Sequence, residues 1–192
     1  MRKKIFIYSS AALFIVLAVF FTLRKVNFLD YQAPVPYERI NEITFENFRG
    51  LEFFQKSLYG NEAFAYIFTS IDYEYNNDSL KIEAFFHPSR SYVYNKKAYS
   101  NDLLKHEMYH FKITELHARM AKKEILEIQQ PTKEDIETSV EKIKEEEELF
   151  QRKYDDETFH SYVLGKQKKY EILIDSLLLL HKAYTKPNIY IK

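Results

Sequence analysis

The order of periodicities along the chain predicts an α+β fold. Alternating apolar residues dominate from about 40 to 99, helical spacing takes over from 100 onward, and an uncharged apolar run stands ahead of both. That run adds an N-terminal transmembrane helix to the expected architecture. A chain of 192 residues has room for one compact domain with a real core.

Composition removes several functional classes before any motif is considered. Lys+Arg and Asp+Glu both number 28, but residues 1–25 hold five bases and no acid, so the remainder carries a net charge of −5. An acidic body offers no electrostatic footprint for nucleic acid. The absence of cysteine excludes disulfides, a thiol nucleophile and a cysteine-ligated metal. Three glycines, Gly50, Gly60 and Gly165, are too few and too scattered for a phosphate-cradling loop. No G-x-S-x-G supports serine hydrolysis.

Residues 5–23, IFIYSSAALFIVLAVFFTL, lie between MRKK and Arg24-Lys25. Nineteen residues of helix span about 28 Å, close to the hydrocarbon thickness of a bilayer. The run exceeds a typical signal-peptide core and no A-x-A-like site follows it, so residues 1–25 read as an anchor rather than a cleaved signal. The flanking bases lean toward a single-pass orientation with the body outside the cytoplasm; cleavage would make the protein secreted. Residues 26–39, with Pro34 and Pro36, read as a stiff linker, and the functional domain is expected over 40–192.

Within 63–75, Ala65, Ile67, Thr69, Ile71 and Tyr73 alternate onto one face, and Leu80, Ile82, Ala84 and Phe86 do so on a return strand ended by His87-Pro88. Asn76-Asn77-Asp78 supplies the turn. Ser91 to Tyr94 and Ile43-Thr44-Phe45 are read as further short strands. Ser100 or Asp102 caps a helix to about 128, stopped by Pro131. Thr132 with Asp135 forms a capping box for a charged helix through about 153, in which Glu145 to Glu148 read as a solvated face. Asp155-Asp156 interrupts or caps, and a third helix is expected from about 158 to 184.

The first of these helices carries His106-Glu107-Met108-Tyr109-His110, an H-E-x-x-H. Four residues turn a helix through 400°, so both imidazoles project from one face and can reach one Zn²⁺ at about 2.0–2.1 Å. Glu107 lies beside the ion rather than on it, where its carboxylate can deprotonate a zinc-bound water. A catalytic zinc needs a third protein ligand and one open position. His117 is seven residues past His110, about 10 Å along an unbroken helix, and no glycine bends the chain back. His87 and His181 read as structural or exposed. His160, or Glu157 one turn earlier, could be brought to the metal by a helix packed against the first.

LLKHEMYHFKITELHARMAKK resembles the core motif of a family of secreted zinc-dependent proteases of bacteria, long labelled as of unknown function. The match runs through Leu103, Leu104, His106, Glu107, His110, Phe111, Ile113, Glu115, Ala118 and Arg119. A second block is matched by Tyr154, Asp155, Glu157, Thr158 and His160, with Gln167 beyond it. The resemblance covers roughly 40–180 and implies a zincin-like fold. It implies a membrane-anchored metallopeptidase that cleaves peptide or protein substrates, with Glu107 as base. The family block ends on its histidine, and acids beside a helix start commonly cap it. His106, His110 and His160 are therefore the expected metal ligands, with Glu157 and Glu115 as residues that could orient them. The alternative is an inactive zincin-like module that mediates interactions in the cell envelope.

Overall fold

The computed structural model describes residues 2–25, 32–50, 65–76, 79–93 and 100–191, and its fold is α+β. Helix α1 (Arg2–Lys25) covers the apolar run, and the side chains described in it, those of 8–22, are exposed. Among the residues whose side chains are described, which in α1 are 8–22 alone, no helix is long and apolar enough to cross a membrane.

The main sheet is built around β4 (Ser79–Phe86). Its hairpin partner β3 (Thr69–Asn76) pairs along its whole length, from Thr69 opposite Phe86 to Asn76 opposite Ser79. On the other edge of β4, two short strands share the length. β1 (Val35–Pro36) pairs with Phe85 and Phe86, and β6 (Asn188–Tyr190) pairs with Ser79 to Lys81. The alternation read in the sequence holds, since Leu80, Ile82, Ala84 and Phe86 are all buried. Pairing with β1 thus extends into the segment read as a linker. A second, two-stranded sheet joins β2 (Ala65–Tyr66) to β5 (Tyr92–Val93).

Helix α2 (Asn101–Glu127) starts at Ser100, whose hydroxyl accepts the Leu103 N–H at 3.1 Å. It lies in the middle of the molecule. One side, with Phe111, Ala118, Ala121 and Ile125, packs on the buried face of the sheet. The other side, with Tyr109, Ile113 and Leu116, meets Tyr154 of α3 (Lys133–Thr158) and Tyr170, Ile174 and Leu178 of α4 (Leu164–Leu180). Thr132 and Asp135 cap α3 reciprocally, as the capping-box reading requires.

Four expectations are corrected. The strand read over 63–75 is divided between two sheets at Ile67-Phe68; residues 63–64 lie outside the described residues, as do 26–31, Asn77-Asp78 and Tyr94. Ile43-Thr44-Phe45 is not a strand, because Thr44 caps a 3₁₀ turn over Phe45–Asn47. Its hydroxyl accepts the Glu46 N–H, and its own N–H goes to Asn47 Oδ1 at 2.8 Å. Asp155-Asp156 neither interrupts nor caps the next helix but continues α3 to Thr158. Finally, α4 begins at Leu164 rather than 158. Phe159, His160 and Ser161 take positive φ of 52°, 50° and 78°, and the Phe159 and His160 N–H groups return to the Asp155 carbonyl. The left-handed stop ordinarily falls on glycine, and no glycine marks this one.

Candidate metal centre

The capped helix α2 carries His106 and His110 on the face turned toward α3, with their Nε2 atoms 3.2 Å apart. Asp155, from the last turn of α3, puts one oxygen between them, with Oδ1 3.0 Å from His106 Nε2 and 2.9 Å from His110 Nε2. His160, on the left-handed turn after α3, brings Nδ1 to 3.4 Å from the same oxygen. His106, Asp155 and His160 form a group that could hold a metal ion, with ligand atoms all within 4.8 Å of one another.

The residues suit an ion in spacing and in chemistry. Donors bound about 2.0–2.1 Å from a tetrahedral zinc lie roughly 3.3–3.4 Å from each other. The Nε2 pair and the His160 contact agree with that edge length, and the two shorter contacts fall a few tenths below it. The chemistry also fits, because imidazoles with one carboxylate are a borderline N/O donor set that takes zinc readily. His106 Nδ1 is buried and has no hydrogen-bond partner among the described residues.

Around this cluster is a shell that sets the ring of His110. Its Nδ1–H donates to Gln151 Oε1, which turns Nε2 toward Asp155. The Gln151 amide is itself fixed, since its Nε2 donates to the His110 carbonyl at 2.9 Å and to Glu147 Oε1 at 2.8 Å. Thr114 Oγ1 donates to Glu147 Oε1 at 2.7 Å and shares a hydrogen bond of 2.7 Å with Thr69 of β3. The chain of contacts therefore runs from the sheet through Thr114, Glu147 and Gln151 to His110. His106 is held differently, by a stacked Tyr154 ring at 4.6 Å and 17°.

Charge distributes unevenly over the cluster. Burial pushes His106 down to about 4, against the pull of Asp155. Burial also opposes charge on His110, but the Asp155 carboxylate outweighs it and lifts the imidazole to about 9. Asp155 would be raised by burial, yet His110 and its hydrogen bonds to three imidazoles hold it well below the usual carboxylate range. The hydrogen bond to Asp155 raises His160. The protein groups alone thus form an imidazolium–carboxylate pair beside a neutral imidazole.

Glu107 stands next to these donors but joins none of them. Its Oε2 accepts the Ile67 N–H at 2.9 Å, at the break between β2 and β3, and burial pushes the carboxyl up to about 7. Glu107, His110, Asp155 and His160 line one cleft of about 460 Å³, which the segment from Ala65 to Thr69 also lines.

The other residues singled out in the sequence lie elsewhere. Glu157 is on the exposed flank of α3, paired with Lys166 at 3.3 Å, so it neither caps α4 nor reaches the cluster. Glu115 forms a buried pair with Arg119 at 2.7 Å, whose other nitrogen donates to the Leu178 carbonyl, so it orients α4 rather than a ligand. His117 is buried, with Nδ1–H on the Ile113 carbonyl. His87 meets Ser70, and His181 meets the Leu177 carbonyl. Within the acidic run, Glu147 is an exception to the solvated face.

Asp155, Gln151 and Glu147 are the site residues that the sequence reading passed over. A signal was available: they are spaced four apart, on the face of α3 that Ile136, Val140 and Ile143 bury nearer its start. A buried stripe that turns polar partway along a helix marks a polar interior site. Comparisons with protein-family models, with curated proteins and with solved structures find no match.

Proposed function

We propose that the protein is a membrane-anchored zinc metallopeptidase of zincin-like fold, its domain outside the cytoplasm. The observation that carries the reading is one cleft lined by three of the donors, His110, Asp155 and His160, and by a buried carboxyl, Glu107, that is not itself a donor. His106, His110 and Asp155 would hold the ion, with His160 as the half-exposed fourth donor. Bound zinc supplies a Lewis acid for the scissile carbonyl and lowers the pKa of attacking water.

The chain's own groups account for the proton. With Oε2 tied to the Ile67 N–H, the second oxygen of Glu107 takes the proton from water and passes it to the departing amine. Burial raises this carboxyl to about 7 when no ion is bound, and a bound zinc would lower it toward the carboxylate form that takes the first proton. The extended backbone over 65–69 suits an extended peptide lying along the cleft. The anchor reading rests on the uncharged run 5–23, which α1 covers in full.

One observation favours the alternative, an inactive envelope module. Four protein donors fill a tetrahedral ion and leave no open position. Glu107→Gln separates the two readings. In the full chain, solubilised and loaded with zinc, the variant should keep its metal and lose peptide hydrolysis by about 10²–10⁴-fold. Equal hydrolysis by both proteins excludes Glu107 as base. A wild-type chain that binds zinc and cleaves nothing in a peptide mixture supports the inactive module.

A further inference from the structure

Helix α4 is apolar on two sides. Tyr170, Ile174 and Leu178 face α2 and α3, where Lys105 pairs with Glu171 at 2.6 Å and Lys112 with Asp175 at 2.7 Å to hold the helix down. Its outward side carries Ile172, Leu173, Leu179 and Leu180, which are 60%, 45%, 66% and 73% exposed. Residues seven apart share a helical stripe, so these four make one continuous patch. Of twelve exposed large apolar residues described beyond α1, eight lie between Phe159 and Leu180.

The same segment is mildly basic, with Lys166 paired to Glu157 and Lys168 to Glu171. Residues 159–182 contain Lys166, Lys168, Lys169 and Lys182 against Glu171 and Asp175, a net of +2 if His160 and His181 are neutral. The body as a whole is −5. Aliphatic residues flanked by lysines are the composition that anionic lipid headgroups attract. The chain also limits how far this surface can stray. Nine residues separate α1 from β1, a reach of at most about 30 Å, on the order of the domain's own diameter.

We infer that the outward face of α4 rests on the anionic surface of the bilayer that α1 enters, an inference that depends on the anchor reading above. A second copy of the chain is a poorer occupant. A patch of a few hundred Å² is below the roughly 800 Å² per partner of a stable interface, and two lysine-bearing faces would repel. The turn leading into α4 carries His160, which lines the cleft. Lipid contact there turns the cleft toward peptide segments close to the membrane.

The chain has no tryptophan, so one can be placed as a sole reporter. Leu179→Trp and, separately, Leu180→Trp are made in the full chain. A control carries Lys133→Trp, at an exposed position at the start of α3. Each is reconstituted into vesicles of phosphatidylcholine and phosphatidylglycerol with or without brominated acyl chains. Bromolipid should quench the reporters at 179 and 180 at least twofold and leave the one at 133 unchanged. Protein stripped from the vesicles by alkaline carbonate overturns the anchor and this inference with it. Protein that stays but shows no quenching at 179 or 180 overturns the inference alone. So does a blue-shifted, unquenched reporter, whether the shift grows with protein density, the mark of a second copy, or not, the mark of another part of the chain.

Discussion

The donor cluster is assembled from two unlike regions. His106, His110 and Asp155 stand on long helices whose facing sides are buried, with Tyr154 stacked on one ring and Gln151 fixing the other. His160 stands on a turn of three consecutive non-glycine residues at positive φ, beside the exposed Phe159. The helical half is rigid because packing and hydrogen bonding specify each side chain more than once. The turn half is specified by a few backbone hydrogen bonds, including Val163 N–H to the Thr158 carbonyl at 2.9 Å. The helical half is therefore expected to set affinity, and the turn to modulate it.

Removing Asp155 should break the comparison most clearly. Asp155→Ala takes the one oxygen shared by all three imidazoles, and stoichiometric zinc should be lost under chelator competition. His160→Ala should weaken binding less, and Glu157→Ala should match the wild type. Loss of metal from His160→Ala while Asp155→Ala retains it would reverse the ranking of the two regions.

A subtler change sharpens the same contrast from the helical side. Gln151→Leu keeps the volume but removes the acceptor of the His110 Nδ1–H. The expected effect is a fall in zinc affinity of about 10–100-fold, the usual cost of losing a partner that orients a ligand. Circular dichroism should be unchanged, and an affinity equal to the wild type would show that packing alone orients the ring.

The smallest effect concerns stability at a buried histidine outside the cluster. Burial lowers the pKa of His117 below its ordinary 6.5. The folded state therefore holds it neutral, while the unfolded chain takes up a proton as pH falls through about 6.5. Stability should drop on acidification there, by less than about 1.4 kcal/mol per pH unit for one proton. In His117→Asn, urea midpoints measured with chelator present between pH 7.5 and 5.5 should fall less steeply than in the wild type. Parallel slopes would assign all of the acid sensitivity to other groups.

What the sequence made legible follows from how local each determinant is. The spacing of His106 and His110 needs only the helical repeat, and the caps at Ser100 and Thr132 need only neighbours three residues away. The β3–β4 hairpin needs only alternation and a turn. Asp155 meets His106 across 49 positions, and its place depends on how α3 packs against α2, which no local rule supplies. The same is true of Ile67, whose N–H reaches Glu107 only because one apparent strand belongs to two sheets. The stop at Phe159 was hidden for a different reason, since the residues that adopt it carry none of the composition that announces it.

That stop bears on the residence time of a bound ion. A left-handed non-glycine residue costs roughly 1–2 kcal/mol, and three stand in a row around His160. Much of that cost would be recovered if the turn relaxed, so an ion held there would be expected to leave by release of His160 first rather than by motion of either helix. A site can then be tight at equilibrium through its helices and yet exchange quickly through its turn. Retention and exchange of an ion held there would then depend on different segments of the same chain.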